Sequence, residues 1–227
     1  MTGETAITSA GGSGTAPLAK PFAEACERNR APILGVLGEV FAACRQVLEI
    51  GSGTGQHAVY FASNLPHLVW QTSELPEHHA GIRAWLAEAR LDNAPAPLAL
   101  DVNDPAWPVK GVDAVFSANT LHIIGWPAVE RMFAGVARVL QPGGVLCIYG
   151  PFNYGGRYTA PSNARFDAWL KARDPLSGIR DFESVDALAR ANGLVLWRDF
   201  AMPANNRSLV WRRVAGRDAA AAGVPRR

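Results

Sequence analysis

The sequence predicts an α/β fold: a mainly parallel sheet, covered by helices on both faces, with an antiparallel hairpin at one edge. Three observations predict it. Short β-rich runs alternate with stretches of helical periodicity from residue 46 onward, the pattern of strands joined by crossover helices. A glycine-rich turn, "GSGTG" (51–55), separates the first strand-like run from the first helix-like one. The last two β-rich runs, "LVLWRDF" and "RSLVWRR", follow one another with no helix between them, which makes them a hairpin.

The elements follow in order. "MTGETAITSAGGSGTAPLAK" is rich in Gly, Ala, Thr and Ser without apolar periodicity, so residues 1–20 are expected to be a disordered tail. The folded domain is then 21–213, and "VAGRDAAAAGVPRR" (214–227) is a second such tail. "QVLEI" (46–50) is the first strand, "QHAVYFASNL" a helix and "HLVWQTS" the second strand. "APLALD", "VDAVFSAN" and "GVLCIYG" are the third, fourth and fifth. Between the last two, "WPAVERMFAGVARVLQPGG" sets Val129, Met132, Phe133, Val136 and Leu140 on one helical face, stopped by Pro142 and Gly143. "SVDALARANG" is a helix with a glycine stop before the hairpin.

Bulk properties narrow the classes. A chain of 227 residues suits one α/β domain, and 48% hydrophobic residues with seven Trp support a substantial core. The formal charge of +2 comes without a Lys/Arg block, so nothing electrostatic points to a nucleic-acid or membrane partner. Cys26, Cys44 and Cys147 are too dispersed for a disulfide framework or a zinc site, and no iron–sulfur spacing is present; no metal is expected. Without a secretory signal or an apolar run of membrane length, the expected location is cytoplasmic. The sequence leaves the oligomeric state open.

The glycine turn carries the chemistry. In a parallel sheet of this kind, ligands sit at the carboxyl ends of the strands. Gly51, Gly53 and Gly55 permit positive φ and close approach of a ligand to the main chain, and the helix that follows offers unpaired N–H groups. A dinucleotide turn, G-x-G-x-x-G, would need glycine where Gln56 stands, and the phosphate-loop pattern G-x-x-x-x-G-K-[ST] is absent. What stands there is E-x-G-x-G-x-G, with Glu49 as the acid. A carboxylate at that point repels a pyrophosphate but suits a ligand carrying an ammonium and a sulfonium, which is S-adenosylmethionine (SAM).

These residues resemble the first motif of the class I SAM-dependent methyltransferases. The resemblance spans approximately residues 21–213 and implies the Rossmann-like, seven-stranded sheet of that class with its reversed edge hairpin. It makes Glu49, Gly51, Ser52, Gly53, Gly55, Gln56 and His57 the first wall of a cofactor site. A second acid belongs at the end of the next strand, for the ribose hydroxyls, and Glu74 stands there; Ser73 is the alternative contact. A third belongs after the following strand, for the adenine amino group, and Asp101 stands there with Val102 to flank the ring. "ERNRAPIL", "SANTLHI", "YGPFNYGG", "SNARFDAWL" and "RDPLSGIRDFE" further resemble one family, domain of unknown function 938, which includes the animal methyltransferase-like protein 26. Its second acid is Asp, where this chain has Glu74.

Methyl transfer from a sulfonium needs an aligned acceptor and exclusion of water more than a conspicuous catalytic group. After the fourth strand, His122 could accept a proton and Asn119 could orient an acceptor or touch the cofactor; Asn153, after the fifth, joins them as a catalytic candidate. Tyr149, Phe152, Asn153, Tyr154 and Tyr158 are candidate walls for a planar or apolar acceptor, with Arg157 for a carboxylate or phosphate. Asn29 and Arg30, on an N-terminal helix, are candidates for the methionine carboxylate or the acceptor. Arg180 and Asp181 are expected to form a lid ion pair or to cap the next helix. The motifs of amino-methylating nucleic-acid enzymes and of cytosine C5 methylation are both missing. The reading is therefore a SAM-dependent methyltransferase with a small-molecule acceptor. Protein or RNA methylation, and a non-catalytic SAM-binding module, are its alternatives.

Overall fold

A computed structural model of the chain describes residues 20–214. The expected tails lie outside the described residues except for Lys20 and Val214. Eight strands form the sheet: β1 (Gln46–Ile50), β2 (Val69–Glu74), β3 (Leu98–Ala99), β4 (Val112–Ala118), β5 (Leu140–Asn153), β6 (Arg180–Asp181), β7 (Leu194–Met202) and β8 (Asn206–Arg213). Their order is β3-β2-β1-β4-β5-β8-β7, with β6 paired to β5 off this path. All pairings are parallel except those of β8, which runs antiparallel to both β5 and β7. The expected hairpin is present, and its second strand lies inside the sheet while β7 takes the edge.

Alternation along each strand builds two cores. Val47, Phe116 and Cys147 face one way, onto helices α1 (Glu24–Val40) and α2 (Gln56–Asn64). Leu48, Val115 and Leu146 face the other way, onto α4 (Trp126–Val139) and α6 (Phe182–Ala191). The stripe read from the sequence is the buried face of α4, with Val129, Met132, Phe133 and Val136 all in the second core. The chain leaves β1 toward β2 and β3, then returns to β4 on the other side. The crevice at the carboxyl ends of β1 and β4 is thus the switch point of the sheet.

Three boundaries differ from the sequence reading. α4 ends at Val139, and Leu140 already pairs with Val112. Pro142 disfavours a helical Gln141, so the chain enters the sheet early, and a register shift follows before Ala114 meets Val145. β3 keeps two residues of the "APLALD" run, because Pro97 cannot donate to a ladder. The helices α3 (His79–Ala89) and α5 (Pro161–Arg173), and the short β6, were not read from sequence. α5 has no apolar stripe: its buried residues are Asn163, Asp167 and Leu170.

Gly135 opens a notch on α4, in which a Cβ would collide with the Trp107 ring. Gly135→Ala is expected to destabilise the fold by about 1–3 kcal/mol through overpacking, measured as a lower urea midpoint with an unchanged slope.

Candidate functional site

The turn between β1 and α2 is held against β2 by backbone and side chain together. The N–H groups of Gly51 and Ser52 both donate to the Ser73 carbonyl at 3.1 Å. Ser52 Oγ accepts from Ser73 N at 3.1 Å and donates to Glu49 Oε2 at 3.0 Å. All three glycines have positive φ, but for different ends. A Cβ on Gly51 would sit 2.7 Å from Thr120 Oγ1, and one on Gly55 would sit 3.0 Å from Ile82 Cα, so these two close the turn against its neighbours. A Cβ on Gly53, at φ +53°, meets no protein atom within 4 Å. Gly53 is the bare position from which a ligand can touch main chain.

Glu49 lies beneath this turn and is only 2% exposed. Its Oε2 accepts from Trp70 Nε1 and from Ser52 Oγ, each at 3.0 Å. Burial pushes its carboxyl up to about 7, against those two hydrogen bonds and with help from the neighbouring Glu74 charge. Ser52 and Ser73, both buried, serve this brace, Ser73 Oγ donating to the Glu49 carbonyl at 2.7 Å. Ser52 was expected among the cofactor contacts, and its hydroxyl is instead occupied inside the turn.

Glu74 ends β2 with its carboxylate turned onto the glycine loop. Oε2 accepts from Gly53 N at 3.0 Å and Oε1 from Leu75 N at 2.8 Å, which leaves each oxygen a further lone pair. Asp101, half-buried in the turn after β3, accepts at Oδ1 from the backbone and side-chain amides of Asn103, both at 2.8 Å. Its Oδ2 has no partner among the described residues. Val102 packs against the second core. A cleft of about 250 Å³ opens just beyond, lined in part by Asn103, Asp104 and Arg131.

Helix α1 is tied across the turn. Gln56, buried at the start of α2, accepts at Oε1 from Ala23 N (2.5 Å) and from Thr54 Oγ1 (3.1 Å), and donates from Nε2 to Glu27 Oε1 at 3.1 Å. Arg30 forms a close pair with Glu27 (2.7 Å) and lies over the Tyr60 ring at 4.6 Å. Gln56, expected with Arg30 among the ligand contacts, thus ties α1 to the turn, and Arg30 joins α1 to α2 through Tyr60. His57 Nε2 is 2.7 Å from Asn29 Oδ1, and Asn29 lies beside the Tyr149 hydroxyl. Burial, then the Arg30 charge, pushes His57 down to about 4, so the ring is neutral. Further out, Pro21 lies against Gly81 of α3, Trp85 Nε1 donates to the Pro21 carbonyl at 2.7 Å, and Lys20 pairs with Glu88 at 2.7 Å.

At the carboxyl end of β4, Asn119 adopts φ +57°, a left-handed conformation that Asn tolerates, with its N–H donating to the Tyr149 carbonyl at 2.9 Å. His122 is buried over Gly150 of β5, with its ring edge-on to Phe166 of α5 at 5.4 Å. Neither of its ring nitrogens has a hydrogen-bond partner among the described residues. Burial first, and the Arg180 charge second, push it down to about 4. Asn153 is buried at the end of β5, and its Oδ1 has no hydrogen-bond partner among the described residues.

The expected acceptor walls sort differently. Phe152 is a core residue and Tyr149 lies buried in the α1 core. Tyr154 turns to the edge hairpin, where its hydroxyl donates to Asp199 Oδ2 at 2.8 Å and its ring stacks on Phe182. Arg157 is exposed across a glycine turn whose backbone pairs it with Tyr154. Tyr158 exposes its ring and donates its hydroxyl to the buried Asp167 of α5 at 2.7 Å. The expected walls thus spread over both cores, the edge hairpin and the surface of α5, and the ring that meets His122 is Phe166 of α5.

Arg180 makes no lid ion pair. Its guanidinium donates to the carbonyls of Leu121 (3.0 Å), Ile124 (2.5 Å) and Leu176 (2.9 Å), clamping the turn that carries Asn119 and His122. Asp181 stands at the N-cap of α6 without a side-chain cap bond. Phe166, Trp70, Thr120 and this clamp were missed from sequence. The motifs "SNARFDAWL" and "RDPLSGIRDFE" held the signal for two of them, since both place aromatic or charged residues in segments without a packing period.

The Glu49 carboxyl gives a testable pH dependence. Its folded pKa of about 7 lies above the ordinary 4.5, so its contribution to stability is full below about 4.5 and is lost as pH rises through 7. In Glu49→Gln the amide oxygen can still accept from Trp70 and Ser52 with no charge to bury. The stability difference in favour of the variant is expected to widen by roughly 1–3 kcal/mol between pH 5 and pH 8, followed by urea unfolding at both pH values.

Comparison with solved structures recovers the same fold. An O-methyltransferase family protein from Burkholderia thailandensis superposes with a TM-score of 0.75 at 20% identity, over 85% of this chain and 58% of that one. An O-methyltransferase family 2 protein from Planctomyces limnophilus, in complex with apigenin, gives 0.72 at 17% identity, over 84% and 59%. Human N-acetylserotonin methyltransferase, in complex with SAM, gives 0.67 at 15%, over 85% and 53%. This chain thus spans a little over half the length of each. Its sheet with an antiparallel strand beside the edge is the Rossmann-like methyltransferase fold. Residues 20–213 match the sequence profile of the proteins of unknown function designated DUF938, and the chain belongs to that family.

Proposed function

We propose that this protein is a SAM-dependent methyltransferase acting on a small-molecule acceptor. The observation that carries the reading is the bare Gly53 main chain at the switch point, with Glu74 bonded to its N–H. The residues fit the cofactor. Glu74 keeps lone pairs for ribose hydroxyls, Asp101 Oδ2 is placed to accept from an adenine amino group, and Val102 flanks it. Glu49 lies beneath the turn as the negative counterpart of a cationic ligand. When bound, the cofactor supplies an electrophilic methyl group on a sulfonium.

The chain's own residues then position the acceptor. Asn119 projects from the end of β4, held left-handed by its N–H bond to Tyr149. His122 stays neutral and offers one N–H and one lone pair. Asn153 is the third candidate, with its unpartnered Oδ1. The SAM and apigenin complexes of the structural neighbours support the cofactor and a small acceptor. The motif resemblance to methyltransferase-like protein 26 fits the same reading. The free thiols of Cys26, Cys44 and Cys147 suit a reducing cytoplasm.

Calorimetry with SAM and with its demethylated product, S-adenosylhomocysteine, tests this directly; folded protein that binds neither rules it out. Gly53→Val is expected to abolish binding of both, because a branched side chain at positive φ fills the ligand's side of the turn. Asp101→Ala should weaken binding by roughly 1–3 kcal/mol, read in the same titrations.

A further inference from the structure

Of the large hydrophobic side chains exposed among the described residues, three stand round His122: Ile123 (49%), Trp169 (51%) and Leu176 (64%). Their grouping is fixed by contacts. Trp169 stacks on Phe166 at 5.8 Å and 17°, and Phe166 meets His122 edge-on. The loop bearing Leu176 is bound along the same turn: Ser177 Oγ donates to the Ile123 carbonyl at 2.6 Å, and Gly178 N to the His122 carbonyl at 2.9 Å. Leu176 itself lies against Gly125. The result is an apolar, partly aromatic shelf leading to a neutral imidazole at the carboxyl end of β4.

Charge selects what the shelf takes. The half-buried Arg180 guanidinium under the turn is bonded only to carbonyl oxygens, and no carboxylate pairs with it among the described residues. Asp167, the acid of α5 that it feels, is already held by Lys171 Nζ (2.6 Å), Tyr158 Oη (2.7 Å) and Ile179 N (2.6 Å). Arg173 lies over the Trp169 ring at 4.6 Å, so guanidinium charge stands on both sides of the shelf. An amine acceptor, an ammonium at neutral pH, is repelled there, whereas an acceptor oxygen is eased toward its anion. An imidazole beside a guanidinium is a poor proton acceptor, but its N–H can hold an anionic oxygen in place.

We propose that the shelf of Ile123, Phe166, Trp169 and Leu176 seats a hydroxylated aromatic ring, whose oxygen meets His122 as the phenolate and is the methyl acceptor. This rests on the methyltransferase reading. The phenol releases its proton to water as it binds. The phenolate lone pair then forms the oxygen–carbon bond as the carbon–sulfur bond breaks, with that electron pair staying on sulfur. The products are an aryl methyl ether and a neutral thioether, so no further base or oxidant is required.

The test uses the full chain loaded with S-adenosylhomocysteine, loading being measured first by calorimetry, and 4-nitrophenol, whose phenolate absorbs in the visible. Ionisation of the bound probe is expected about one unit below that of the free probe, a tenfold shift. Trp169→Ala, at an exposed position, should weaken probe binding at least about fivefold. Arg180→Lys should keep the shift, and Arg180→Gln, where it folds, should remove it. Loaded protein that ignores the probe, binds it as the neutral phenol, or binds it equally after Trp169→Ala overturns the proposal and leaves the cofactor reading standing. Failure to load overturns both. A dimer in light scattering that dissociates in Trp169→Ala would assign the shelf to a second copy of the chain and overturn it too.

Discussion

The site depends on one hydrogen-bonded brace, the Ser52 hydroxyl set between Glu49 and Ser73. It locks the carboxyl end of β1 to that of β2, so the glycine turn is fixed by the sheet and not by its own sequence. With the turn fixed, Gly53 N falls within reach of Glu74, and Gly55 starts α2 against Ile82 of α3. The brace requires a carboxyl group out of water, and Trp70 supplies the second donor that makes this tolerable. The cost stays local because both donors come from the strand and turn that the carboxyl joins.

Much of this was legible in the sequence. Strand alternation and the α4 stripe report burial directly, since the sheet has two cores and each strand feeds both. The glycine turn was legible because positive φ admits few residue types. Glu74 and Asp101 were singled out by their order after that turn; Glu74 ends β2 and Asp101 stands in the turn after β3. Less legible was which polar residues tie the scaffold together. Gln56, next to the turn, and Arg30, on α1, have as partners Ala23 at the N-cap of α1, Glu27 on α1 and Tyr60 on α2. Only long-range contacts could identify such ties.

The aromatic run that begins at Tyr149 starts inside β5. Its residues alternate between the two cores, so Tyr149 and Phe152 point to opposite sides of the sheet and neither wall is shared. α5, whose polar composition gave no helical signal, instead carries Phe166 and Trp169 past His122. A buried Asp167 on that helix gathers Lys171, Tyr158 and the Ile179 amide, which anchors an element with few apolar residues to bury.

Chain position divides this molecule unevenly. The glycine cradle and its three acids come from residues 49–101, whereas α5 and the Leu176 loop arrive more than fifty residues later, that loop bonded to the β4 turn. Grafting a relative's 157–179 segment between unchanged flanks would exchange one mouth for another without touching a single cradle hydrogen bond. Change at this end of the sheet thus has a structural route open to recombination as much as to point mutation.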